Sequence, residues 1–361
     1  VRDGRLKPVV VGPDSFEGAL EAIEFCFEKG WTDGLPVVPP TPERVHRMVE
    51  ASGRDPQELL GLVPPRLGRA TVEAVAVNAV MAGCRPEYMP VILAAVEAVL
   101  DERFNLNGVQ ATTHPCAPLI IVSGPVVKAI NLNTGTNVFG HGFRANATIG
   151  RALRLVLLNL GGGIPEIGDK SVHGHPGKYT FCIGESLESP WELLHVERGF
   201  PPDESAVTVI AVEAPHSILG GLAALVDHLA ALGSNTMGLG GEALIVLSPP
   251  VAERLAKAGW TKQDVRSFIF EHARAPLGKI MLTGVNKELF GISVIEELPG
   301  VVNHWPRWLD LSDPDTRVPV VWRPEDLLIV VAGGRAIGFC SVLPGWGYMG
   351  GFSVTRPIRM P

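Results

Sequence analysis

The sequence predicts an α/β fold, with mixed or parallel sheets and flanking helices. Three observations carry that expectation. Short β-branched runs alternate with amphipathic helical stretches along the 361 residues. Two of the runs echo each other, "LIIVSGPVV" at 119–127 and "LIVLSPPVA" at 244–252. Gly (41) and Pro (31) are spread through the chain, which gives many tight turns between short elements and no obvious linker.

Taken in order, "GALEAIEFCFEKG" (18–30) has helical spacing, with Leu20, Ile23 and Phe27 on one stripe and Gly30 as a C-cap. "LPVVPP" (35–40) reads as a brief strand. In "TPERVHRMVEAS", Thr41 is a natural N-cap and Pro42 suits the first helical position. "TVEAVAVNAVMAG" and "PVILAAVEAVL" are apolar helices, the first ending at Gly83. Each echoed run is followed later by another helix, "ATIGRALRLVLLN" in one case and "KQDVRSFIFEHA" in the other. A looser echo ties "PPTPERVHRMVEASG" to "PPVAERLAKAG", and "DLLIVVAGG" (326–334) supplies a third buried strand. Any strand–turn–helix unit shares some of these features. The alternative is a duplicated α/β unit with a pseudo-twofold arrangement, an N-terminal half at 1–205 carrying polar glycine loops and a C-terminal half at 206–361. One compact unit is equally compatible with the pattern.

Hydrophobic residues make up 46% of the chain and charged residues only 19%, so much surface is expected to be buried, including contacts in a stable oligomer. A net charge of -7, without basic stripes, argues against nucleic acid as a partner. No apolar run is long enough to cross a membrane, and the N-terminal stretch lacks the pattern of a secretory signal. Five scattered cysteines without C-x-x-C read as reduced thiols, and the expected location is the cytoplasm. No cofactor motif is evident.

Four stretches have the composition of a site. In "GVQATTHPCAPLIIV", Thr112, Thr113, His114 and Cys116 form a polar turn before a hydrophobic strand. His114 is a candidate proton-handling group. Cys116 as its nucleophile partner competes with an ordinary buried thiol. In "NVFGHGFRANATIGRAL" (137–153), Asn137, Gly140 and Gly142 permit close approach to a ligand, and Arg144 falls at a helix start. A cation there is unfavourable alone, so Arg144 and Asn146 are expected to hold an anionic group with the free helix N–H groups. The competing reading pairs Arg144 with a structural carboxylate such as Asp169 or Glu185.

In "SVHGHPGKYTFCIGE" (171–185), Lys178 and Tyr179 are candidates to stabilise developing charge, and His175 to act with them. His173 and His175 form an H-x-H pair. With His114 and His141 they make the ligand set of a metal reading, although Pro176 and Gly177 interrupt the strand such a pair needs. In "SFIFEHARAP", His272 and Arg274 are explained as well by a helix C-terminus as by function. Gly333, Gly334 and Cys340 lie in a glycine-dense stretch after a buried strand, where a ligand contact is plausible.

Together "GWTDGLPVVPPTPERV", "VNAVMAGCRPEYMPV", "NLNGVQATTHP", "RANATIGRALRLVLLN", "GHPGKY" and "HVERGF" resemble a bacterial family of largely unassigned function. Members of that family are fused to, or encoded beside, a small domain with a U-G-S-C motif, in which U is selenocysteine or cysteine. The resemblance runs from about Trp31 to Ile358. This chain contains no C-G-S-C. The resemblance therefore implies a thiol or selenol centre on a separate small CGSC or UGSC subunit, with this chain as the large, substrate-binding one. The substrate expected is small, polar and anionic. The alternatives are a self-contained metal-dependent hydrolase or lyase and a non-catalytic assembly protein.

Overall fold

The computed structural model describes residues 16–232, 241–279, 306–310, 312–346 and 351–361. Helix α1 (Phe16–Glu28) ends before Gly30, as its spacing predicts, although the residue it buries most deeply is Cys26 and not Leu20. Helix α2 (Pro42–Glu50) starts at Thr41, whose hydroxyl accepts from Arg44 N at 3.4 Å. The strand expected at 35–40 is absent: three prolines remove ladder donors, and the segment is held instead by Val38 N donating to Met81 O.

A hairpin, β1 (Leu59–Val63) and β2 (Gly68–Thr71), leads into α3 (Val72–Ala82), which Gly83 closes in the left-handed conformation at φ 86°. Then come α4 (Met89–Val99), α5 (Leu106–Ala111), β3 (Ala117–Ser123), α6 (Val126–Ala129), α7 (Arg144–Asn159), β4 (Cys182–Gly184) and α8 (Leu194–Glu197). The remainder is β5 (Ala206–Val212), β6 (His216–Leu219), α9 (Gly221–Leu232), β7 (Ala243–Leu247), α10 (Pro249–Lys257), α11 (Lys262–His272), β8 (Arg274–Pro276), β9 (Arg317–Pro319), β10 (Leu327–Val331), β11 (Phe339–Pro344) and β12 (Val354–Pro357).

The fold is α/β with mixed sheets. Two four-stranded sheets run in the orders β12-β5-β3-β4 and β10-β7-β11-β6. Each has a parallel pair, β3 with β4 or β7 with β10, and the central strand of each is antiparallel to its other neighbour. The outermost strand is antiparallel again in both. The echoed runs occupy the corresponding strands β3 and β7. The fourth strands are exchanged along the chain, because β6 follows β5 but joins the second sheet, and β12 follows β11 but returns to the first.

A division at 205 would cut across the first sheet. It assigns β5 to the second half, whereas β5 pairs with β3 along its whole length, Ala117 opposite Val212 through Ser123 opposite Ala206.

Side-chain alternation along the strands builds layers. Ile120 and Val122 of β3 face a core shared with α2, α3, α4 and α7. Leu119 and Ile121 enter a second core with Leu244 and Val246 of β7, so the sheets pack face to face. Ile245 and Leu247 of β7 face outward onto α9, α10 and α11. The order is helices, sheet, sheet, helices. No helix among the described residues is long and apolar enough to cross a membrane.

Candidate functional site

The antiparallel ladder of β3 and β5 brings together residues far apart in sequence. His114 lies just before β3 and Glu213 just after β5, and His114 Nε2 meets Glu213 Oε1 at 2.7 Å. The approach to β3 is fixed locally, since Thr112 Oγ1 accepts from His114 N at 3.0 Å. The second sheet adds a wall. Val212 forms an isolated bridge with Gly345, Glu213 N donates to Pro344 O at 2.9 Å, and the next residue, Trp346, stacks on the His114 ring at 6.4 Å and 19°.

A carboxylate on Nε2 fixes the imidazole proton there and leaves the Nδ1 lone pair as the acceptor. His114 Nδ1 is buried and has no hydrogen-bond partner.

The loop between α7 and β4 covers this corner. Val172 N donates to Thr113 O at 3.0 Å and Ser171 Oγ to His114 O at 3.2 Å. His175 heads a short turn, its Nδ1 accepting from Gly177 N at 3.1 Å, and its ring sits edge-on to Phe181 at 5.5 Å. Its Nε2 is buried, with the Val212 carbonyl near it but outside hydrogen-bond geometry. Burial holds the His175 pKa below the ordinary imidazole value, Lys178 pushes it further down, and the Val212 carbonyl and Glu213 pull back. The ring is thus neutral near pH 7, and because Nδ1 accepts from Gly177 N its proton is on Nε2. Lys178 Nζ is held by both oxygens of Asp169 at 2.8 and 2.6 Å.

His114, His175 and Lys178 are therefore gathered at one end of β3 and β4. The other expected residues have different places. Tyr179 follows Lys178 but is about half exposed (49%). Thr113 contributes its carbonyl, as above.

Arg144 donates through Nε and Nη2 to Gly83 O at 3.0 and 2.8 Å. That carbonyl closes α3, so the cation complements the negative end of one helix while sitting at the start of another. Neither expected carboxylate is its partner: Asp169 holds Lys178, and Glu185 accepts from Ser123 Oγ at 2.6 Å. Asn146 is buried with its amide spent on Asn133 N, Asn133 O and Cys182 O, which ties the 133 loop to β4. The Arg144–Asn146 anion site is thus not assembled in this geometry.

Asn137 Nδ2 bonds His141 O at 2.9 Å, and Gly333 N donates to Thr134 O at 2.8 Å. A Cβ on Gly334 would lie 2.9 Å from Thr136 Oγ1. Asn137, Gly333 and Gly334 therefore belong to a contact between the 133–141 loop and the end of β10, not to the His114 corner. Residues 347–350 of the C-terminal glycine stretch lie outside the described residues. His141 and His173 are exposed, and no group of three His, Cys, Asp or Glu suited to a metal occurs among the described residues. The four-histidine metal set is not brought together. His272 stacks on Phe268 and Arg274 packs over Phe270, both as structural groups.

Sequence reasoning does not reach Glu213, Trp346 or Asp169 as neighbours of His114 and Lys178. Glu213 had one readable signal, a carboxylate directly after the buried run "AVTVIAV". Trp346 had none, because only the pairing of two strand ends brings it to His114. No protein-family model matches the chain, and a search of curated proteins finds no match.

Proposed function

We propose that this chain is an enzyme subunit performing general acid–base chemistry on a small polar substrate at His114. The reaction would draw on a thiol or selenol from a separate small CGSC or UGSC subunit. The observation that carries the first part is the His114–Glu213 pair, with the other ring nitrogen unpartnered and the ring stacked on Trp346. Glu213 orients the ring and stabilises the imidazolium formed when Nδ1 takes a proton, the logic of a carboxylate–histidine dyad. Neutral His175 offers an N–H donor beside it, and Asp169 holds Lys178 in register.

The resemblance to the UGSC-associated family supports the second part. So does the state of this chain's own thiols. All five are buried. Burial pushes Cys84 and Cys116 up to about 12 and Cys340 to about 11. None is a ready thiolate, so thiol chemistry here needs a sulfur or selenium from elsewhere.

The test is to co-express the chain with a small CGSC protein encoded beside it and screen small polar acids for turnover. His114→Gln should lower turnover by about 10²-fold or more with the fold intact by circular dichroism. Full turnover in that variant overturns the acid–base role. Full turnover with the partner's cysteines changed to serine overturns the thiol role alone.

A further inference from the structure

Arg154 has no part in the reading above, yet it is the least compensated cation near the site. It lies on α7, one turn after Gly150. A Cβ at Gly150 would stand 2.5 Å from Phe181 N, so only glycine lets the helix lie this close to the strand that follows the His175 loop. The next turn carries Arg154, whose charge acts on His175 and on which Asp169, Asp33 and Cys116 act in turn.

Its Nε is buried with no hydrogen-bond partner, and among the described residues it forms no salt bridge. The two carboxylates that act on it are both committed. Asp169 is held by Lys178, and Asp33 takes Arg151 Nε and Nη2 at 2.8 Å each. Neither is therefore paired with the Arg154 guanidinium. Burial lowers the Arg154 pKa, with Asp169 and Asp33 opposing, but a guanidinium stays charged at any ordinary pH. A part-buried, unpaired charge with an unsatisfied donor is costly, and a fork of N–H groups matches a planar oxyanion.

We infer that Arg154 binds the carboxylate of the substrate, so that the site takes small monocarboxylic acids whose reacting atoms then lie toward His114. A carboxylate offers the guanidinium fork two coplanar oxygens and brings one negative charge. A phosphate dianion would add excess negative charge beside Asp169 and Glu213. The inference rests on the His114 site being the reacting centre, but its test is binding alone and needs no turnover.

The test measures the melting temperature of the chain in sodium acetate, sodium glycolate, sodium phosphate and sodium chloride at matched ionic strength. Acetate and glycolate should raise it saturably, and phosphate and chloride should not. Arg154→Gln should weaken the apparent carboxylate affinity by roughly 10- to 100-fold, the range for a hydrogen bond to a charged group. Arg154→Lys should weaken it by at least about 10-fold, because a point charge lacks the fork, and this variant decides the matter where the glutamine form does not fold. His114→Gln should keep the carboxylate effect. Equal responses to chloride and acetate, or an undiminished acetate response in Arg154→Lys, would overturn the assignment. Retained acetate binding together with full turnover in His114→Gln would instead overturn the acid–base reading and leave standing only the carboxylate binding at Arg154.

Discussion

The two ends of β3 have opposite electrostatic characters, although all seven residues between them are buried. At the far end, Ser123 Oγ and Leu194 N both donate to Glu185 Oε2, at 2.6 and 2.8 Å. Lys262 Nζ stands 3.8 Å from Glu185 Oε1 and bonds Glu197 Oε2 at 3.0 Å and Glu192 O at 2.7 Å. Arg266 takes both oxygens of Glu197 at 3.0 Å. These charges are buried, opposed and drawn from both sheets' coverings, as expected of a structural clasp. At the near end, His114 Nδ1 and Arg154 Nε are buried without hydrogen-bond partners, and His175 Nε2 has the Val212 carbonyl near it but outside hydrogen-bond geometry. Unsatisfied groups cost stability in the empty protein, and a fold retains them where something else completes them. The far end keeps an orphaned atom too, Glu185 Oε1, but Lys262 faces it at 3.8 Å, whereas Arg154 has no ion-pair partner among the described residues.

The sharpest way to break this contrast is to damage the closed end. Lys262→Met removes the cation facing Glu185, whose carboxyl burial already pushes above its ordinary pKa against the pull of Lys262. Removing one member of a buried pair strands the other. Denaturant unfolding should show a loss of about 3–5 kcal/mol. Adding Glu185→Gln should recover part of it, because no charge is then left alone. Carboxylate binding in the folded fraction should be unchanged. A loss below about 1 kcal/mol would mean that the two ends do not differ as described.

The contrast also explains what the sequence could and could not disclose. Caps such as Thr41 and Gly83, and the apolar runs of β3, β7 and β10, are set by neighbours within a few residues, and they are legible. So is the correspondence of "LIIVS" and "LIVLS", because each run fills the same position of a four-stranded sheet. The looser echo through P-P-x-x-E-R is different: α2 follows no strand, whereas α10 follows β7. The exchange of β6 and β12 between sheets has no local signal, and neither has the approach of Trp346 to His114. His114, His175 and Lys178 were readable because they crowd two short polar loops. Arg154 was hidden inside "LRLVLLN", where a charged residue in an apolar helix reads as surface. Arg144 was noticed for the right physical reason, an unfavourable helix start, but its partner is a carbonyl 61 residues earlier.

That carbonyl gives the next prediction. Arg144→Gln removes two hydrogen bonds to the end of α3 and should lower stability by about 0.5–1.5 kcal/mol, modestly because the site is exposed. It should leave acetate binding untouched, in contrast to Arg154→Gln. Thermal melts with and without acetate check both statements. A loss of acetate binding in Arg144→Gln would move the anion site back to the start of α7.

The smallest effect tests the near end through pH. His175 has a folded pKa below that of the unfolded chain, so the folded state resists protonation there. Its contribution to stability is complete above the ordinary imidazole pKa of about 6.5 and is lost as pH falls below it, because the unfolded chain takes up the proton first. The slope cannot exceed about 1.4 kcal/mol per pH unit for one proton, and partial exposure of the ring makes it smaller. His195, also held below its ordinary value by burial, contributes in the same direction. Glu185 and Glu242, raised by burial, act in the opposite direction at pH values above the ordinary carboxylate range. A difference between two proteins cancels these other groups. His175→Asn keeps an acceptor for Gly177 N and removes the titrating ring. Between pH 7.5 and 5.5 the variant should therefore lose less stability than the parent, the two curves converging as pH falls. Parallel curves would show that His175 takes up its proton as readily folded as unfolded, and the Nε2–H would no longer be part of a site held ready for a ligand.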